Sequence, residues 1–171
     1  MAISKATLSD IPELNMLVNS AYRGDTSKKG WTTEADLLGG IRTDDESLTA
    51  LLNKENSVML VHRNDEGQII GCVNLQRNGD KVYLGMLTVN PELQGSGVGK
   101  ILLKASEDYT KEIGCHKLYM TVISVRKELI DWYKRHGYKE TGERKPFPMD
   151  DPKFGIPKTQ LEFIVLEKEA G

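Results

Sequence analysis

Apolar positions along this chain switch between two periods. Ile11, Leu14, Leu17 and Val18 recur at helical spacing. So do Leu48, Leu51 and Leu52, and then Val98, Ile101, Leu102, Ala105 and Tyr109. Between them lie segments of strand character at 2–7, 57–63, 68–77, 81–89, 116–123, 138–143 and 161–166, with Leu118, Met120 and Val122 alternating in the fifth. Turn chemistry punctuates the pattern. Asn64-Asp65-Glu66-Gly67 separates two strands, and Asn78-Gly79 predicts a two-residue hairpin between 68–77 and 81–89. Gly114 and Gly137 stop helices predicted over 97–113 and 126–136. Ser9-Asp10-Ile11-Pro12 reads as a helix start, a capping residue followed by proline in the first turn. Thr33 is expected to cap a short second helix through Leu38, with Gly39-Gly40 ending it, and Thr43 or Asp44 a third through Lys54. A proline-bearing excursion, 146–157, precedes the last strand. The succession of strands and helices predicts a mixed sheet flanked by helices.

Composition narrows the function classes. At 171 residues, 39% hydrophobic and 28% charged, the chain suits a single domain over 1–171 with one sizeable core. The net charge of −2 and the lack of a long basic run argue against a nucleic-acid partner. No apolar run is long enough to span a bilayer, and Met1-Ala2-Ile3-Ser4-Lys5 lacks a signal-peptide core, so no membrane partner is expected. Cys72 and Cys115, far apart in apolar segments, read as reduced core residues, which points to the cytoplasm. His62, His116 and His136 have no metal-ligand spacing, and no metal site is expected.

The most informative stretch runs from Val89 to Lys100, where Gly95, Gly97 and Gly99 alternate between a strand and a helix. Backbone N–H groups without a Cβ to block them, at the positive end of a helix dipole, make a cradle for phosphate. Two familiar glycine motifs do not fit. A phosphate loop ending at Gly99-Lys100 would need glycine where Gln94 stands and a hydroxyl where Ile101 stands. A dinucleotide fingerprint starting at Gly95 and Gly97 would need glycine at Lys100. What remains is Q-x-x-G-x-G on Gln94, Gly97 and Gly99, after a strand ending Val89-Asn90-Pro91. Downstream, Tyr133-Lys134-Arg135-His136-Gly137-Tyr138 has the form Y-x-x-x-G-[FY]. Together these resemble the GNAT superfamily of acyl-CoA-dependent N-acetyltransferases, strongly over about 57–143 and thinly before it.

The resemblance implies a mixed, mostly antiparallel α/β fold of the α+β type, with about seven strands and a splayed V between the fourth and fifth. It implies acetyl-CoA as cosubstrate. Backbone groups of Leu87, Thr88 and Val89 would pair with the acyl-pantetheine arm, and Gln94, Gly95, Ser96, Gly97, Val98, Gly99 and Lys100 would hold the diphosphate. An N–H near Thr88 or Val89 would meet the developing oxyanion. Tyr133 falls where the family's tyrosine protonates the leaving sulfur, although its position beside Leu129 and Ile130 equally suits the core. Relatives often carry asparagine where this chain has Arg126. That arginine is a candidate for a coenzyme phosphate or a plain helix-start residue. Lys134 reads as either a 3′-phosphate contact or a solvated cation.

The acceptor is less legible. Tyr22, Trp31 and Glu34 fall in the segment that lines the acceptor site in relatives, but Trp31 also reads as a core plug and Glu34 as a solvated helix-start acid. The first expectation is a small-molecule amine, attacked directly in a ternary complex. A peptide N-terminus, a protein lysine, or a catalytically idle acyl-CoA-binding module are the alternatives. Relatives are often dimers, which leaves a homodimer open.

Overall fold

The computed structural model describes residues 2–22, 38–39, 43–93, 96–146, 156–157 and 162–170. Its elements in chain order are β1 (Ala2–Lys5), α1 (Ile11–Tyr22), β2 (Leu38–Gly39), α2 (Asp45–Asn53), β3 (Ser57–Arg63), β4 (Ile69–Asn78), β5 (Lys81–Val89), α3 (Val98–Glu112), β6 (Lys117–Ile123), α4 (Lys127–Arg135), β7 (Lys139–Pro146), β8 (Ile156–Pro157) and β9 (Glu162–Glu169). Seven strands form one sheet in the order β1-β3-β4-β5-β6-β9-β7. Every neighbouring pair is antiparallel except β5 and β6, which run parallel. This is the expected α/β architecture. β5 and β6 are the fourth and fifth strands of that sheet.

Alternation sorts the side chains onto two faces. Val82, Leu84, Leu118, Met120, Val122, Ile164 and Leu166 are buried in one cluster with Leu102 and Leu103 of α3 and Leu129 and Ile130 of α4. On the opposite face, Met59, Val61 and Cys72 are buried with Leu14, Leu17 and Val18 of α1 and Leu48 of α2. Gly71 lets α3 lie close on the sheet. A Cβ there would stand 2.9 Å from both Leu102 Cδ1 and the Thr88 carbonyl oxygen.

Three local expectations are corrected. The first helix begins at Ile11 with Pro12 in its first turn, as expected, but a 3-10 turn at Leu8–Asp10 precedes it and is capped by Thr7, whose N–H donates to Asp10 Oδ2 at 2.9 Å. The hairpin turn sits one residue later than Asn78-Gly79. Asn78 pairs with Lys81, which leaves Gly79 and Asp80 as the turn, and Gly79 has the positive φ (+68°) that a tight hairpin requires. Leu38 is not helical. Leu38 and Gly39 pair antiparallel with Pro157 and Ile156, and backbone partners from a distant segment outweigh a helix preference worth only tenths of a kcal/mol per residue. The rest of that predicted helix, 33–37, lies outside the described residues. The third helix begins as expected at Asp44, whose carboxylate accepts the Ser47 N–H at 2.8 Å.

Candidate active site

β5 and β6 share only three register pairs, Lys81–Lys117, Val82–Leu118 and Tyr83–Tyr119. Beyond Tyr83 and Tyr119 the two strands diverge, although β6 stays paired with β9 along its whole length. A bulge in β5 supplies the cause. Cys72 pairs with Thr88 and Asn74 with Gly85, so Met86 and Leu87 together oppose the single residue Val73. Met86 takes a positive φ of +53°, and its carbonyl accepts from the Thr88 hydroxyl at 2.9 Å. A bulge of this kind bends its strand and tightens the twist, which carries β5 away from β6. From Leu84 to Val89 the diverging part of β5 extends at most about 17 Å, at about 3.3 Å per residue. Leu87, Thr88 and Val89 are all buried.

The open end of this notch leads into the glycine segment. Asn90 N–H is tied to the Ile70 carbonyl at 2.9 Å, a 3-10 turn follows at Pro91–Leu93, and Ser96 N–H returns to the Leu93 carbonyl at 3.1 Å. The Ser96 hydroxyl donates to the same carbonyl. Gly97 then caps α3 at φ +93°, a conformation that favours glycine, and a Cβ there would project into open space. The first N–H to bond within the helix is that of Ile101, which donates to the Gly97 carbonyl at 3.1 Å. The first turn of α3 holds no acidic residue, and Lys100 is exposed beside it. A helix start with this backbone and charge suits an anion. Gln94 and Gly95 lie outside the described residues.

α4 closes one side of the site. Trp132 packs over Gly99, where a Cβ would come within 3.1 Å of the indole. Tyr133 is 6% exposed and lies in the same buried cluster as Leu87 and Val89. Its ring meets those of Trp132 and Tyr138 edge-on, at centroid separations of 5.2 and 5.7 Å. Burial pushes the Tyr138 phenol well above the ordinary tyrosine range, and the Glu107 charge pushes the same way, so Tyr138 stays neutral. Arg126 occupies the N-cap position of α4 and is half-buried, with its N–H on the Ile123 carbonyl at 3.0 Å. Lys134 donates to Glu140 Oε2 at 2.6 Å, an exposed ion pair that engages its charge.

The described residues thus bring Leu87, Thr88, Val89, Ser96, Gly97, Val98, Gly99 and Lys100 into one run of chain, with Tyr133 on the helix that covers it. Tyr22 ends α1, but its side chain, with Trp31 and Glu34, lies outside the described residues. Sequence reasoning missed Trp132 and the Met86 bulge. Neither had a local signal in the sequence; the bulge shows only in the burial of Leu87, Thr88 and Val89 in succession, after the alternation over 81–85. Among the described residues no three His, Cys, Asp or Glu side chains gather where a metal ion could sit, and no helix is long and apolar enough to cross a membrane.

Comparison with known proteins agrees with this geometry. Residues 14–138 match the acetyltransferase (GNAT) family. A probable N-acetyltransferase 14 of Xenopus tropicalis is 38% identical over 80 residues, 46% of this chain and 39% of that protein. The thialysine N-epsilon-acetyltransferase of Bos taurus is 31% identical over 65 residues, 38% of each chain. The chain therefore spans well under half the length of these two relatives. The crystal structure of the ribosomal-protein-S18-alanine N-acetyltransferase from Escherichia coli superposes with a TM-score of 0.73 at 16% identity, covering 99% of this chain and 94% of that one, a likeness of fold. The family match, covering most of the chain, together with the splayed sheet and the glycine-marked helix start at its mouth, makes this protein a member of the GNAT family of acetyltransferases, a family that uses acetyl-CoA as cosubstrate.

Proposed function

We propose that this protein, working as a single domain over 1–171, moves an acetyl group from acetyl-CoA to the primary amine of a small metabolite in the cytoplasm. The observation that carries this reading is the loss of β5–β6 pairing beyond Tyr83 and Tyr119, with the Gly97 helix start at the open end. Acetyl-CoA supplies an electrophilic thioester carbonyl. The N–H groups of Gly97, Val98 and Gly99, with Gln94, Gly95, Ser96 and the Lys100 cation, hold its diphosphate. The lack of a carboxylate in the first turn of α3 and the open space at Gly97 support that fit. Leu87, Thr88 and Val89 line the pantetheine arm along the notch. Arg126, at the N-cap of α4, is a further candidate cation for a coenzyme phosphate.

The neutral amine forms the new C–N bond as the C–S bond breaks, the departing sulfur takes a proton from the Tyr133 phenol, and the proton lost by the amine nitrogen passes through solvent to restore the phenol. The packing of Tyr133 between Trp132 and Tyr138 fixes its ring, as a positioned acid requires. Tyr22, Trp31 and Glu34 belong to the acceptor side. The test is a screen of primary amines with acetyl-CoA, read as free thiol. Amine-dependent thiol release with the acetylated amine as product is the expected result. Tight acetyl-CoA binding with no release by any amine would favour an idle binding module.

A further inference from the structure

The side chains at the apex of the notch face away from α3. Val82, Leu84, Leu118 and Met120 are buried under the helices, so Tyr83, Tyr119 and Thr121 project from the other face, where they are half-buried. They are built into a fixed floor. Tyr83 and Tyr119 lie 5.3 Å apart at the last paired rung of β5 and β6. The Tyr83 ring runs forward over Gly85, where a Cβ would stand 3.4 Å from it, and its hydroxyl shares a 3.2 Å hydrogen bond with that of Thr121. The Tyr119 hydroxyl accepts from the Asn78 amide at 3.0 Å. A side-chain clasp thus continues across β5 and β6 just where the backbone ladder stops.

These residues floor a groove of about 580 Å³, and the described residues of its rim include three cations, Lys54, Arg77 and Lys145, and no carboxylate. Two of the cations are tied to neutral groups that leave their charge uncancelled. Lys54 Nζ donates to Gln76 Oε1 at 2.8 Å, and Arg77 Nε donates to the Gly79 carbonyl at 3.1 Å. Lys145 stands 3.5 Å from Glu143, but both are more than half exposed, and such pairs cancel little. A polar aromatic floor under a positive rim attracts anions and repels polycations.

We infer that this groove receives the acceptor and selects small amines that also carry a carboxylate or phosphate group. The inference rests on the acetyltransferase reading above and goes beyond it by naming the acceptor's second functional group. The aromatic floor at the apex places the amine toward the notch, and Lys54, Arg77 and Lys145 take the anionic end.

The test measures thiol release from acetyl-CoA by the full chain with matched acceptors: lysine against cadaverine, serine against ethanolamine, and phosphoethanolamine against ethanolamine. The carboxylate and phosphate pairs separate the two anion types. The anionic member of at least one pair is expected to show a kcat/KM about tenfold higher, the worth of one charge-assisted contact. The double variant Lys54→Gln, Lys145→Gln should erase most of that preference through KM and leave acetyl-CoA affinity intact. A second readout needs no turnover: amide resonances of Tyr83, Tyr119 and Thr121 should shift with phosphoserine and not with ethanolamine. Equal kcat/KM within every pair, preference for cadaverine, an acidic peptide N-terminus outperforming every small amine, or no amide shifts at the three residues would overturn the inference. Failure of acetyl-CoA to bind would instead remove the acetyltransferase reading, and the amide shifts would still decide the groove.

Discussion

Gly99 and Trp132 meet where α3 and α4 converge, and a Cβ on the glycine would stand 3.1 Å from Trp132 Cζ2 and 3.2 Å from Cη2. The indole has little room to retreat. It also packs at a tilt against His136, at a centroid separation of 4.4 Å, and meets Tyr133 edge-on. This one contact couples the glycine cradle to the helix that carries the candidate acid.

Gly99→Ala is therefore expected to cost about 1–2 kcal/mol through overpacking, read as a lowered midpoint of chemical denaturation. Gly97→Ala meets open space and should cost about 1 kcal/mol from its left-handed backbone alone. Pairing each with Trp132→Leu distinguishes the causes, because only the Gly99 variant should be rescued. A Gly99→Ala protein as stable as the parent would refute the contact.

Tyr133→Phe removes one hydroxyl and leaves the ring packing of α4 in place. Its kcat should fall by about a hundredfold, the low end of general-acid effects, while acetyl-CoA affinity and the unfolding midpoint hold. An unchanged kcat in a rapid-quench assay would assign Tyr133 to the core alone.

The closed end of the notch is held by Glu167 of β9, whose carboxylate reaches Lys117 of β6 at 3.1 Å and Lys81 of β5 at 3.3 Å. The hydrogen bond from Lys117 pulls the Glu167 pKa below the ordinary glutamate value, with Lys81 assisting and burial opposing. A depressed folded-state pKa contributes stability that is present above the unfolded value of about 4.3 and fades as pH falls through the folded value. Glu167→Gln should thus be less stable than the parent at pH 7, and the gap should narrow between about pH 5 and pH 3. A gap that stays constant across that range would mean that Glu167 does not staple the three strands electrostatically.

Much of this architecture is legible in residue order, and the exceptions share a cause. The alternation of Leu118, Met120 and Val122 and the glycine punctuation at Gly114 and Gly137 report directly on backbone period and helix ends, so the strands and long helices fall where their patterns place them. The glycines at 97 and 99 could be read as the start of α3, because a left-handed cap and a close packing contact each favour glycine. The Met86 bulge could not be read, because a positive φ on methionine goes with the register shift against β4 and not with local preference. The pairing of Leu38–Gly39 with Ile156–Pro157 and the approach of Trp132 to Gly99 are long-range contacts with no local signal. The aromatic clasp of Tyr83 and Thr121 became visible only once β5 and β6 were known to be neighbours.

The account turns on the anion-binding helix start at the mouth of a splayed sheet, and calorimetric titration of the folded protein with acetyl-CoA tests it most directly. Saturable one-site binding is predicted, weakened at least about tenfold by Gly97→Ala through the reoriented N–H groups. The absence of heat and saturation, or equal affinity in the Gly97 variant, would contradict it.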